Sequence, residues 1–191
     1  LLANGGLKNQ ETINRIKRDL ARIYYLRGDW VKAARNYEDI SSAGRSEMTA
    51  LDFHRFAQAL KNSKQYGQAL ASYRQTVKMV QENPGRYPLQ LLSESYLGIG
   101  ECLYRENNIP AGLPVYQQAL PGLNERRDLW WANFRIGQGY TRLNRLDLGE
   151  KAFAEAKAKA GIGDAFAVKM IDSWKEEHLW NEQNRKYLEL P

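Results

Sequence analysis

Four times in this chain a small residue is followed four positions later by an aromatic ring: Ala33 and Tyr37, Ala69 and Tyr73, Gly112 and Tyr116, Gly149 and Phe153. Twelve positions before each of these anchors stands another small residue, at Ala21, Ala57, Gly100 and Gly137. The residue just before that one is large and apolar each time: Leu20, Phe56, Ile99 and Ile136. Nine positions before the anchor comes Tyr24, Leu60, Leu103 or Tyr140. The anchors lie 36, 43 and 37 residues apart. Recurrence at such a period indicates one supersecondary unit repeated, each copy too small to bury its apolar face alone.

The apolar spacing within each unit is helical. Residues 8–26 read as a helix with an apolar stripe of Ile13, Ile16, Leu20 and Ile23. A turn at Arg27–Gly28–Asp29 separates it from a partner over 30–42, which Ser-Ser-Ala-Gly at 41–44 ends. The second pair covers 47–62 and Tyr66 to Glu82, and Asn83–Pro84–Gly85 breaks it. With Arg86–Tyr87–Pro88 that breaker forms the longest irregular stretch, a candidate specialised loop. The third pair starts near Leu89 and turns at Asn107–Asn108; Pro110 suits a first helical turn. Pro114 should delay or kink the next helix, which Pro121–Gly122 ends. The fourth pair runs through Trp130, Phe134 and Tyr140, turns at Asn144–Arg145, and resumes through Leu148 and Phe153. Gly161–Ile162–Gly163 breaks again, and Asp164 caps a last helix with Ala167, Met170, Ile171, Trp174 and His178 on one face. Trp180 should point away from that face. No alternating, strand-like pattern persists anywhere, so the chain is all-α.

A hydrophobic share of 43% excludes global disorder. Net charge is +6, but unevenly placed: residues 1–92 carry 15 basic and 8 acidic side chains, residues 93–191 carry 13 and 14. An acidic partner should therefore favour the N-terminal half. The lone Cys102 excludes an internal disulfide. The start at Leu1 reads as an excerpt or a processed product, and no run of apolar residues is long enough to span a membrane.

The repeated positions resemble those of the tetratricopeptide repeat family, whose unit is 34 residues. The matching units are 14–47, 50–83, 93–126 and 130–163, with residues 164–187 like the capping helix that ends such arrays. The whole chain, 1–191, is expected to be a single array domain. Two departures stand out: the proline common near the end of each unit is missing, and nine extra residues precede the third unit. The resemblance implies a right-handed superhelical array acting as a non-catalytic protein-interaction module or assembly scaffold. It also implies that positions 2, 5, 9 and 12 of each first helix face a concave groove. Here these are Arg15, Arg18, Arg22 and Tyr25; Leu51, His54, Gln58 and Lys61; Glu94, Leu97, Glu101 and Tyr104; Trp131, Phe134, Gln138 and Thr141. The arginines can grip carboxylates, and Trp131 with Phe134 can hold an apolar anchor. The expected partner is a protein or peptide with acidic and apolar residues. Self-association is compatible with such an array.

Some members of the family bind the C-terminal carboxylates of heat-shock chaperones, using Lys at position 5 and Asn at position 9 of the first unit. Arg18 and Arg22 stand there instead, and that role is excluded. His54 and His178 are far apart, Cys102 sits on a packed helix face, and no zinc spacing or phosphate loop occurs, so neither catalysis, a cofactor nor a metal is expected. The alternatives are an RNA-binding helical repeat, which lacks a repeated base-reading set, and an accessory domain of an enzyme. The composition and start resemble bacterial members, some of them envelope-associated, so the periplasm is the expected compartment and the cytoplasm the alternative.

Overall fold

The computed structural model describes the backbone of residues 2–43, 48–161 and 164–188, and the side chains of 11–42, 48–161 and 164–185. Every regular element among them is helical. Two compact units form, Leu1–Gly122 and Leu123–Pro191. The first holds α1 (Leu2–Leu26), α2 (Trp30–Ala43), α3 (Ala50–Asn62), α4 (Tyr66–Glu82), α5 (Leu89–Arg105) and α6 (Ile109–Ala119), closed by a short 3-10 turn at Leu120–Gly122. The second holds α7 (Arg126–Arg142), α8 (Leu146–Ala160) and α9 (Ala165–Leu188).

The turns inside the four pairs share one backbone solution. Five residues before each anchor the chain enters the left-handed region, at Gly28, Lys64, Asn107 and Asn144. The next amide closes the first helix by bonding five residues back: Asp29 to the Tyr24 carbonyl, Gln65 to Leu60, Asn108 to Leu103 and Arg145 to Tyr140. Glycine and asparagine enter this conformation at little cost. Lys64 does not, which is why its turn carries no sequence signal.

The repeated small and aromatic residues meet as their spacing requires. Among the described residues, Tyr37, Tyr73, Tyr116 and Phe153 are the most buried large rings. A methyl group on Gly100 would stand 2.9 Å from the Tyr116 ring, and one on Gly137 would stand 2.5 Å from that of Phe153. Gly137→Leu and Ala33→Leu should therefore each destabilise by about 1–3 kcal/mol through overpacking, read from urea midpoints. A neutral result at both sites would contradict the repeat register.

Several local expectations need correction. Helix α1 begins at Leu2, not at residue 8, and its stripe of Ile13, Ile16, Leu20 and Ile23 is exposed. Asn14 and Ala21, on another side of α1, make its buried contacts. Helix α3 starts at Ala50 because Thr49 and Asp52 form a reciprocal capping box. Helix α6 does not begin late: it runs from Ile109 through Pro114. Pro110 and Pro114 are both solvent-exposed, so the carbonyl that Pro114 leaves unbonded can be hydrated. Gly44, Ile162 and Gly163, expected as breakers, lie outside the described residues. Beside them, α2 ends at Ala43 and α8 at Ala160, capped by Gly161, whose φ is 78°. In α9, Ala167 and Ile171 are fully buried and Trp174 stacks on His178, while Trp180 is exposed as its angular position requires.

Candidate protein-interaction surface

The first unit builds one face from α1, α3 and α5. On α1, Arg15 is exposed while Arg18, Arg22 and Tyr25 are half-buried. Arg22 turns toward α3, donating Nη2 and Nε to Asp52 Oδ1 at 2.9 and 3.1 Å. Asp52 is fully buried, and its other oxygen accepts from the Thr49 hydroxyl at 2.8 Å. One carboxylate thus caps α3 and fixes an arginine of α1. The Thr49-x-x-Asp52 spacing carried the capping half of this arrangement in the sequence; the arginine half depends on how the helices pack. The Tyr25 hydroxyl donates to the Gln58 side chain, a second link between α1 and α3.

His54 was placed in the groove by its repeat position, yet it is buried at the junction of α3 and α5. Its Nδ1 lies 2.9 Å from the Ser95 hydroxyl, its Nε2 lies 3.7 Å from Glu94 Oε2, and Tyr73 meets it edge-on. Burial, reinforced by the charges of Lys61 and Arg55, pushes the imidazole down to about 4 despite the nearby carboxylate. The unfolded chain binds this proton near pH 6.5, so stability contributed by neutral His54 is present above pH 6.5 and is lost as pH falls toward 4. The loss should total about 3 kcal/mol. Comparing unfolding free energies of wild type and His54→Asn across that window checks it: the variant's slope should be shallower, and equal slopes would contradict the burial of a neutral ring.

Gln58 and Lys61 are half-exposed and Leu51 is exposed, all on α3. Arg55, which repeat positions did not single out, is half-exposed next to His54 and acts electrostatically on Tyr25, Tyr37 and His54. On α5, Glu94, Leu97 and Glu101 are half-exposed, and Glu101 accepts from the Tyr116 hydroxyl at 2.8 Å. Tyr104 is buried edge-on against Tyr116. The face therefore carries cations on α1 and α3, acids on α5, and apolar contributions at Leu51 and Leu97.

The second unit brings its expected site residues together differently. Phe134 is buried, with Phe153, Trp174 and Trp131 around it at centroid distances of 6.0, 6.2 and 5.6 Å. Gln138 is buried too, accepting from Arg135 at 2.6 Å, and Thr141 bonds the Gly137 carbonyl. Trp131 alone of the expected aromatic pair keeps a half-exposed ring, with the Arg135 guanidinium 5.5 Å from its centroid.

Among the described residues no group of three or more His, Cys, Asp or Glu could hold a metal ion. Burial pushes the Cys102 thiol up to about 12, which keeps it protonated and unreactive at neutral pH. No helix of the described residues is long and apolar enough to cross a membrane.

No protein-family model matches the sequence, and no curated protein does. Solved structures do resemble it. BtubC from P. vanneervenii superposes with a TM-score of 0.64 at 20% identity, over 78% of this chain and 63% of that one. The chain thus spans less than two thirds of BtubC. MamA from Desulfovibrio magneticus RS-1 gives 0.62 at 15% identity, over 91% and 92% of the two chains. YrrB, described as a TPR protein with an unusual peptide-binding site, gives 0.58 at 18% identity, over 87% and 83%. At these identities the likeness concerns the fold. Paired helices, four equivalent left-handed turns and a repeated small-to-aromatic contact give this chain the fold of the tetratricopeptide-repeat arrays that it resembles.

Proposed function

We propose that the protein is a non-catalytic interaction module or assembly scaffold whose first unit takes a protein segment rich in acidic and large apolar residues. The observation that carries this reading is the cationic edge of the α1–α3–α5 face. Arg15, Arg18, Arg55 and Lys61 stand exposed or half-exposed beside side chains already tied across the helices by the Arg22–Asp52 and Tyr25–Gln58 contacts. Such pre-ordering lowers the entropy that binding must overcome. Arginine pairs with carboxylates in two-pronged hydrogen bonds, and Leu51 and Leu97 offer apolar contact nearby. The peptide-binding site named for YrrB, a structure of the same fold, supports the general mode.

The test is selection of a random peptide library on the protein, followed by titration of the selected peptides. Acidic, apolar sequences should be enriched. Arg15→Glu with Arg18→Glu should weaken binding at least tenfold and flatten its salt dependence. Arg22 is left intact in this variant because a glutamate there would face the buried Asp52. Selection of basic peptides, or tighter binding to a random polynucleotide than to any peptide, would overturn the reading.

A further inference from the structure

We propose that Glu94 on α5 is a subsite for a basic side chain of the bound segment, so that the ligand is charge-polarised: acidic where it meets α1, lysine or arginine where it meets α5. This rests on the reading of the α1–α3–α5 face as the binding surface, and it adds the order of charges along the ligand. The hydrogen bonds around His54 carry it. The Ser95 hydroxyl lies 2.7 Å from the Leu91 carbonyl, which can only accept, so the hydroxyl proton is committed there. At the 2.9 Å contact with His54 Nδ1 the serine oxygen therefore accepts, and Nδ1 carries the ring proton. The ring is neutral at pH 7, because burial, with Lys61 and Arg55 adding to it, holds its pKa low. Nε2 is then an acceptor, and it lies 3.7 Å from Glu94 Oε2. Two acceptors face each other, so His54 supplies no proton to the carboxylate. The other carboxylate oxygen, Oε1, accepts from Gln90 Nε2 at 2.7 Å, which holds the group in place. The Glu94 side chain is 29% exposed, so a ligand donor reaches it from the solvent side. A lysine ammonium or arginine guanidinium offers such donors together with the opposite charge.

The charges of the face are sorted by helix. Arg15 and Arg18 stand on α1, beside Arg22, whose charge Asp52 meets. Arg55 and Lys61 stand on α3, and Glu94 and Glu101 stand half-exposed on α5. The sign changes within reach of a single group: burial raises the pKa of the Tyr25 hydroxyl, Arg55 lowers it and Glu94 raises it again. Glu101 is less suited to a ligand cation, since its Oε1 accepts from the Tyr116 hydroxyl and Arg105 lies one turn beyond it. Arg105 is about 16 Å along the helix from Glu94, more than a Debye length in physiological salt. From α1 to α5 is two helix-to-helix steps of about 8–10 Å each, which an extended chain crosses in about five or six residues. An acidic segment without a basic residue would set a carboxylate or an apolar group against Glu94. A segment with acids at one end and a basic residue at the other pairs with both sides of the face.

The probes are the acidic peptides selected from a random library on the intact 191-residue chain. They should carry a lysine or arginine about five or six residues from their acids. Replacing that residue by norleucine should weaken binding to wild type about tenfold or more, and should change binding to Glu94→Gln less than about twofold, because the partner charge is already gone there. Glu94→Lys should reverse the preference, binding the peptide with glutamate at that position about tenfold more tightly than the parent. Circular dichroism should show unchanged helix content in both variants. The neutral, isosteric Glu94→Gln decides the matter even where the lysine beside His54 disturbs folding. Acidic peptides selected without a basic residue overturn the subsite while the reading of the face stands. So does a norleucine effect equal on wild type and Glu94→Gln. A library that yields no acidic peptide overturns both.

Discussion

Phe153→Ala should destabilise the second unit by about 3–5 kcal/mol, the range for removing a fully buried ring. Phe153 is 2% exposed, and its ring occupies the space that the absent side chain of Gly137 leaves open. Phe134 and Trp174 flank it at 6.0 and 5.6 Å, so truncation empties a site walled on two sides by rings that cannot easily collapse. Urea unfolding followed by tryptophan fluorescence is well suited, because Trp130, Trp131 and Trp174 belong to the same cluster. Phe153→Leu should cost much less, since it keeps most of the volume. A loss below about 1 kcal/mol for the alanine variant would mean that the fourth repeat is not organised on this ring.

Deletion of residues 164–191 should have the larger consequence. Ala167 and Ile171 are fully buried, and Trp174 lies across both Phe134 and Phe153. Removing α9 would bare a contiguous aromatic surface at the end of the array, the kind of patch that drives association. The ion pairs of α9, Lys175 with Glu150 and Lys157 with Asp172, are partly exposed and contribute little by comparison. Light scattering should show the shortened protein aggregating where the intact chain does not. A truncated protein that stays soluble and monomeric, with an unchanged unfolding midpoint, would contradict the assignment of α9 as cover for the fourth repeat.

The fold was legible in the sequence because repeat contacts are local. Tyr116 meets Gly100 and Phe153 meets Gly137 within single helix pairs, so one spacing rule suffices to place both partners. The left-handed turns were legible where Gly28, Asn107 and Asn144 stand, and silent at Lys64. The candidate surface was only partly legible, because exposure depends on the next helix along. His54, Tyr104, Phe134 and Gln138 occupy groove positions by count, but Ser95, Tyr116, Trp174 and Arg135 respectively lie against them. Counting positions cannot weigh the size of a side chain arriving from elsewhere. The stripe of α1 failed for the converse reason: periodicity marks an apolar face without saying whether anything covers it.

The central claim is that the α1–α3–α5 face of the first unit takes an acidic, apolar protein segment. Site-specific photocrosslinking with a selected peptide tests it most directly. A benzophenone side chain at Leu51 or Leu97, both on that face, should crosslink the peptide, and the adduct should disappear in the Arg15→Glu, Arg18→Glu background. The same group at exposed Lys151 on α8 should give no adduct. Crosslinking from Lys151 with none from Leu51 or Leu97 would contradict the claim and place binding outside this face.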